Sequence, residues 1–102
     1  MGLTLVLVTF PNEESAKKIV DDVLERKLAA CILMTDVKST YLWQGKKHND
    51  QEIISLFKTD EAKIAGLENF ISENHPYDIP AIIKLNASAN EDYENWLTDV
   101  IS

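Results

Sequence analysis

Two runs of strand-forming residues lie close together in the middle of the chain, and their combined length limits what it can fold into. Val37-Lys38-Ser39-Thr40-Tyr41-Leu42-Trp43 and Glu52-Ile53-Ile54-Ser55-Leu56-Phe57-Lys58-Thr59 flank a polar stretch, Gly45-Lys46-Lys47-His48-Asn49-Asp50, that holds turn formers and almost no hydrophobic residue. Read as one antiparallel hairpin turning within that stretch, its arms over 37–46 and 50–59 reach roughly 33 Å each at strand rise. An ordinary strand spans only about 17–20 Å. The outer half of such a ribbon projects beyond whatever its base packs on. A lone two-stranded ribbon is marginal in water, and its edges carry unpaired backbone groups. Tyr41, Leu42 and Trp43 lie on it and call for burial. The economical solution is more copies of the same chain, joined through the sheet.

The flanking sequence supplies the rest of a sandwich. Leu3-Thr4-Leu5-Val6-Leu7-Val8-Thr9-Phe10 is nearly continuous in hydrophobicity, as suits a central strand covered on both faces. Asn12 is a suitable N-cap, with Glu13 and Glu14 complementing the dipole of a helix whose inner stripe is Ala16, Ile19, Val20, Val23 and Leu24, and Arg26 and Lys27 at its end. A strand is expected over 28–35, with a bend or bulge at Asp36. A second helix is capped by Thr59 or Asp60 and buries Ile64, Leu67, Phe70 and Ile71, and Gly66 within it costs about 1 kcal/mol relative to alanine. His75-Pro76-Tyr77-Asp78-Ile79-Pro80 stops that helix. Ala81-Ile82-Ile83-Lys84-Leu85 forms the last strand, and Asn90 caps a terminal helix with an apolar stripe of Tyr93, Trp96, Leu97, Val100 and Ile101. Two βαβ halves around one antiparallel sheet make an α+β, ferredoxin-like arrangement with a long hairpin and a C-terminal helix, a single domain over residues 1–102.

Charge and cysteine content narrow the function classes. Ten Lys+Arg against 17 Asp+Glu give a net charge of −7, which repels a phosphate backbone and disfavours anionic membranes as partners. No apolar run reaches the roughly 18 residues of a membrane span. One cysteine, Cys31, forms no internal disulfide, and Met1-Gly2-Leu3-Thr4 lacks the basic flank of a signal peptide, so the cytoplasm is the expected compartment.

Candidate chemistry is sparse. The borderline metal ligands Cys31, His48 and His75 are far apart in sequence, with no CxxC, HxxxH or EF-hand spacing. Cys31, among Ala29, Ala30, Ile32 and Leu33, reads as a buried strand cysteine. His48 lies in the polar stretch, where it is either solvated or a weak ligand with Asp50 and Glu52. His75, before a rigid proline corner, is either a helix-end histidine or the one candidate metal ligand. A Cys31–His75 nucleophilic pair is argued against by the buried strand, no serine elbow is present, and Gly2, Gly45 and Gly66 are too isolated to cradle a phosphate. The sole arginine, Arg26, is placed to meet a helix dipole rather than an acyl phosphate. No catalytic residue and no enzyme activity are expected.

Val8-Thr9 with Pro11 and Glu14, Lys27-Leu28-Ala29-Ala30-Cys31-Ile32, Ser39-Thr40-Tyr41-Leu42-Trp43-Gln44-Gly45-Lys46, Glu52 six residues before Lys58-Thr59, the His75–Pro80 corner and Tyr93-Glu94-Asn95-Trp96-Leu97 occur in the order and spacing of one family. Over residues 9–97 the chain resembles the CutA family of divalent-cation tolerance proteins. The resemblance implies a ferredoxin-like protomer in a tight homotrimer, similar in architecture to the PII signalling proteins, in the cytoplasm and tied to tolerance of copper or another divalent cation. Ala81 stands where the family usually has a glutamate, Thr35-Asp36 where it usually has proline, and Asn86-Ala87-Ser88-Ala89-Asn90 replaces a loop that normally carries proline and glycine. Ala81 removes a carboxylate from the neighbourhood of His75. In a trimer joined through the hairpins, Tyr41, Trp43, Lys46, Glu52, Lys58 and Tyr77 are expected to line an inter-subunit cleft, either as an ion-paired interface or as a site for a small ligand or partner protein.

Overall fold

The structure, a computed structural model, describes residues 2–102. In chain order the elements are β1 (Leu3–Phe10), α1 (Glu13–Glu25), β2 (Cys31–Trp43), β3 (Lys46–Thr59), a 3-10 turn (Glu61–Lys63), α2 (Ile64–Asn74), β4 (Ile82–Ala87) and α3 (Glu91–Ile101). The four strands form one antiparallel sheet in the order β2-β3-β1-β4. β1 is thus central, as its unbroken hydrophobicity requires.

One face of the sheet is covered by α1 and α2. Val6, Val8 and Phe10 of β1 and Ile53 and Phe57 of β3 pack with Ala16, Ile19, Val20 and Val23 of α1 and Leu67 and Ile71 of α2. Two buried hydroxyls on β3 are satisfied within the chain: Ser55 donates to the Val8 carbonyl at 3.1 Å and Thr59 to the Leu28 carbonyl at 2.8 Å. On the other face α3 covers only one end, where Leu97 and Ile101 close over Leu3 and touch Leu5, Ala30 and Ala87.

Local chemistry explains the helix ends. The Asn12 side chain accepts from the Ser15 backbone N–H at 2.8 Å. α1 stops in a Schellman turn: Lys27 is left-handed (φ 56°), its N–H bonds to the Leu24 carbonyl, and the Leu28 N–H reaches the Val23 carbonyl. Arg26 lays its guanidinium over the Phe70 ring, 4.6 Å from the centroid. Gly66 lies where a Cβ would come within 3.2 Å of Leu28 Cδ2, so α2 packs closely at that point. Asn90 precedes α3 without a side-chain cap bond, and the Glu94 carboxylate instead accepts from the Ala89 N–H at 2.7 Å.

Three further expectations, besides the Asn90 cap, are corrected. The hairpin does not turn between arms ending at 46 and starting at 50: it turns at Gln44-Gly45, both with positive φ (50° and 77°), and Lys46 to Asp50 are strand. Two consecutive left-handed residues make the tight I′-type turn that matches strand twist, and glycine at the second position makes it accessible. Asp36 causes no break, since it pairs with Ile53 inside a continuous β2. The segment from Asp60 enters α2 through the 3-10 turn, and Asp60 makes no cap bond.

Candidate functional site

β2 pairs with β3 over almost its whole length, whereas β1 pairs only with Ile53 to Thr59 of β3. Residues 37–43 and 46–52 therefore run on as a two-stranded ribbon, about 23 Å beyond the sheet at strand rise. The two-residue turn fixes its register. Val37 faces Glu52, Ser39 faces Asp50, Tyr41 faces His48 and Trp43 faces Lys46. Side chains alternate, so these eight share one face of the ribbon.

On that face the ribbon ties itself together along a repeated diagonal. Ser39 donates its hydroxyl to Glu52 Oε1, and Tyr41 donates to Asp50 Oδ2. Each bond runs from a residue to the partner two positions beyond its direct pair, the diagonal contact long side chains reach in a twisted sheet. Tyr41 also stacks on His48 at 5.6 Å. Its phenol is pushed above the ordinary range, first by the bond to Asp50, then by burial and by the charges of Asp50 and Glu52. On the other face Thr40 donates to Asn49 at 2.9 Å.

Glu52 stands at the root of the ribbon, just past the end of β1, and the corner between α2 and β4 meets it there. Tyr77 donates its hydroxyl to Glu52 Oε2 at 2.6 Å. Both carboxylate oxygens thus accept from hydroxyls. Burial, then the bond to Glu52, holds the Tyr77 phenol far above its usual range.

His75 fixes the corner. Its Nε2 lies 2.8 Å from the Thr9 carbonyl oxygen, and the Tyr77 backbone N–H points at its Nδ1 at 3.0 Å. A carbonyl only accepts and an amide N–H only donates, so the proton is on Nε2 and the lone pair on Nδ1. The ring stacks on Phe10 at 4.7 Å and leans against Tyr77 at 4.9 Å. Burial pushes the imidazole below its ordinary value, against the Thr9 carbonyl and the Glu52 charge, which both favour the protonated form. In this arrangement neither ring nitrogen is free for a cation, and among the described residues no three His, Cys, Asp or Glu side chains converge into a metal-binding group.

The sequence and the fold match a known set of proteins. Residues 4–100 match the family model described as CutA1 divalent ion tolerance protein. The chain belongs to the CutA1 family. The divalent-cation tolerance protein CutA of Pyrococcus horikoshii is 40% identical over 98 residues, which cover 95% of this chain and 96% of that protein. CutA from Synechococcus elongatus superposes with a TM-score of 0.95 at 30% identity, covering 99% of this chain and 91% of the other. The protein described as periplasmic divalent cation tolerance protein CutA from Archaeoglobus fulgidus superposes with a TM-score of 0.94 at 27% identity, covering 98% and 99%. The resemblance carried by the sequence motifs is confirmed.

Of the six cleft residues expected for this CutA1 chain, Glu52 and Tyr77 meet at the root of the ribbon, and Tyr41, farther out opposite His48, bonds Asp50 on the same face. Trp43 and Lys46 form the closing pair at its tip. Lys58 lies six positions beyond Glu52 on β3, about 20 Å away at strand rise, where its ammonium is 3.3 Å from the Tyr93 hydroxyl and opposite Cys31. One protomer does not gather the set. Ser39 and the Thr9 carbonyl are members the sequence does not single out, and Asp50, expected only as a weak ligand beside His48, is the acceptor for Tyr41. A register counted from Gln44-Gly45 places Ser39 and Asp50 on the face of Tyr41 and Glu52. The Thr9 carbonyl, being backbone, leaves no mark on residue type. A concavity of about 300 Å³ at the ribbon's root is lined by Asp36, Val37, Lys38 and Gln51.

Proposed function

We propose that this CutA1 chain acts as a non-enzymatic homotrimer of ferredoxin-like protomers in divalent-cation tolerance, with copper or another divalent cation met only weakly. The observation that carries the reading is the ribbon with the bare sheet face beside it. Leu42 is 77% and Trp43 56% exposed at the tip. Across the face opposite α1 and α2, the register sets Leu33, Leu56, Leu7 and Ile83 in one row over all four strands, with Leu33 52% and Ile83 48% exposed. Such a surface on an isolated chain favours association. The free edges belong to different strands, β2 and β4. A contact between unlike edges is heterologous, and three copies close it as a ring when each turns by a third of a circle relative to the last. In that ring the ribbon of one protomer carries Tyr41, Trp43, Lys46 and Glu52 toward Lys58 of another, so the cleft is completed between subunits.

A second reading is a PII-like module that binds a small ligand or partner protein in that cleft. It is favoured by the saturation of Glu52 and His75: hydroxyls and backbone already occupy them, which leaves aromatic faces and ammonium groups as the cleft's offering. Cys31, unpaired within the chain, suits a reducing compartment, and we place the protein in the cytoplasm. Native mass spectrometry with and without copper tests the leading reading: three chains are expected in both, with weak, exchangeable metal. A single-chain species overturns it. Calorimetric titration with copper, zinc and nucleotides separates the two readings, since a tight nucleotide signal without a metal signal favours the second.

A further inference from the structure

The corner over residues 75–82 is held to the body of the protein by few bonds, and His75 controls one of them. Among the described residues, the two side-chain hydrogen bonds of residues 76–81 both belong to Tyr77: its N–H to His75 Nδ1 and its hydroxyl to Glu52. The first depends on a lone pair that a single proton removes. Once Nδ1 carries hydrogen, two donors face each other at 3.0 Å. The Thr9 carbonyl accepts from Nε2 in either state and keeps the ring in place.

We propose that His75 is a proton-operated pin: protonation of Nδ1 turns away the Tyr77 backbone N–H, draws the Tyr77 hydroxyl off Glu52, and releases the corner from the root of the ribbon.

The groups around the imidazole define the direction of the effect. From β3 it faces the Glu52 carboxylate. From β1 it meets the Thr9 carbonyl and the Phe10 ring, neither of which titrates. α2 ends beside it at Asn74, whose amide donates to the Phe70 carbonyl. The corner itself contributes the Tyr77 phenol. Burial keeps the ring neutral at neutral pH, and acidification through a value below 6.5 charges it. The Tyr77 phenol stays protonated throughout that range, so the proton that operates the pin is the one on His75. Release leaves Glu52 Oε2 without its donor. At the cleft proposed above, a bared carboxylate and a mobile phenol change what can bind there. That consequence rests on the cleft reading, while the pin is a property of one chain.

The test is an NMR titration of the full chain from about pH 8 to about pH 5, across the range in which histidine titrates. The Tyr77 amide and ring signals should move in one step with the His75 ring signal, at a midpoint below 6.5. In His75→Gln, which has no imidazole to titrate, the Tyr77 signals should stay level over the same range. A Tyr77 amide that stays still while His75 titrates overturns the pin. So does Tyr77 movement that persists in His75→Gln, and so does unfolding before His75 titrates. Should His75→Gln not fold, Tyr77→Phe serves: it keeps the backbone N–H, and the residue-77 amide must still follow His75. Light scattering on the same samples counts chains. A single-chain species there removes the trimer reading and leaves the pin standing.

Discussion

Tyr77 and Glu52 are 25 positions apart in sequence, yet the phenol donates to the carboxylate at 2.6 Å across the end of β1. This bond joins the corner before β4 to the root of the ribbon, two segments that no backbone ladder connects. Hydrogen bonds to charged acceptors contribute about 1.5–3 kcal/mol, less where water reaches them. Tyr77→Phe should therefore lower stability by about 1–2 kcal/mol. Thermal melts at fixed protein concentration check this, and an unchanged midpoint would mean the bond is idle in solution.

Both His75 nitrogens are engaged, so removing the ring should disturb structure and leave metal binding alone. His75→Ala loses the Phe10 stack and the bonds to Thr9 and Tyr77. A cost of about 2 kcal/mol or more is expected from lost packing and an orphaned backbone N–H. Copper affinity measured by calorimetry should match the parent's. A marked loss of affinity in a variant that still folds would make His75 a ligand after all.

Stability should depend on pH through the same ring. The folded-state pKa of His75 lies below its ordinary 6.5 because burial opposes the charge. The unfolded chain then binds more protons in the interval between the two values, and stability rises with pH there. The contribution is present in full above 6.5 and is lost as pH falls through the folded value. Denaturant midpoints from about pH 8 to about pH 5.5 should fall on acidification, more in the parent than in His75→Gln. Equal slopes would show that carboxylates alone account for the loss.

Periodic elements were readable from residue type, and the site was readable only in part. β1 falls on the residues its hydrophobic run marks, and of the α1 stripe Ala16, Ile19, Val20 and Val23 bury while Leu24, next to the helix end, is exposed. Residue type signals a period well because burial repeats with it. The ribbon's excess length was also plain. Its turn was misplaced because the polar residues Lys46 to Asp50 look like loop, although their polarity reflects a ribbon lying outside the core rather than a break in it. The register follows the turn, so the pairing of Ser39 with Glu52 and of Tyr41 with Asp50 is legible only once the turn is placed at Gln44-Gly45. The role of His75 turns on the Thr9 carbonyl, a group every residue carries, and on the Tyr77 N–H, which every residue but proline carries, so only the folded chain reveals it.

Lys27 occupies a position where glycine is the usual solution. Its φ of 56° is left-handed, and the Schellman bonds of Lys27 and Leu28 to Leu24 and Val23 depend on it. A side chain there carries a steric cost that glycine avoids, partly offset by glycine's greater freedom when unfolded. Lys27→Gly should raise stability by about 0.5–1 kcal/mol. An unaltered or lower melting midpoint would indicate that the Lys27 side chain contributes something its backbone geometry does not show.

Ile83 tests the bare face of the sheet. It pairs with Leu7 from the edge strand β4 and is 48% exposed in one chain, so a lysine there can extend into water without disturbing the core between the sheet and α1 or α2. If that face is buried between copies, the same lysine places an unpaired charge in an apolar contact, which costs several kcal/mol and is the larger effect by far. Ile83→Lys should then keep its helical and strand content while its mass by light scattering drops from about three times 11.5 kDa toward one. Thr40, on the ribbon's other face, is the control, since Thr40→Lys changes charge equally without touching the Leu33–Leu56–Leu7–Ile83 row. An Ile83→Lys variant that retains the parent's mass would show that the row faces solvent, and assembly would have to be sought through the ribbon alone.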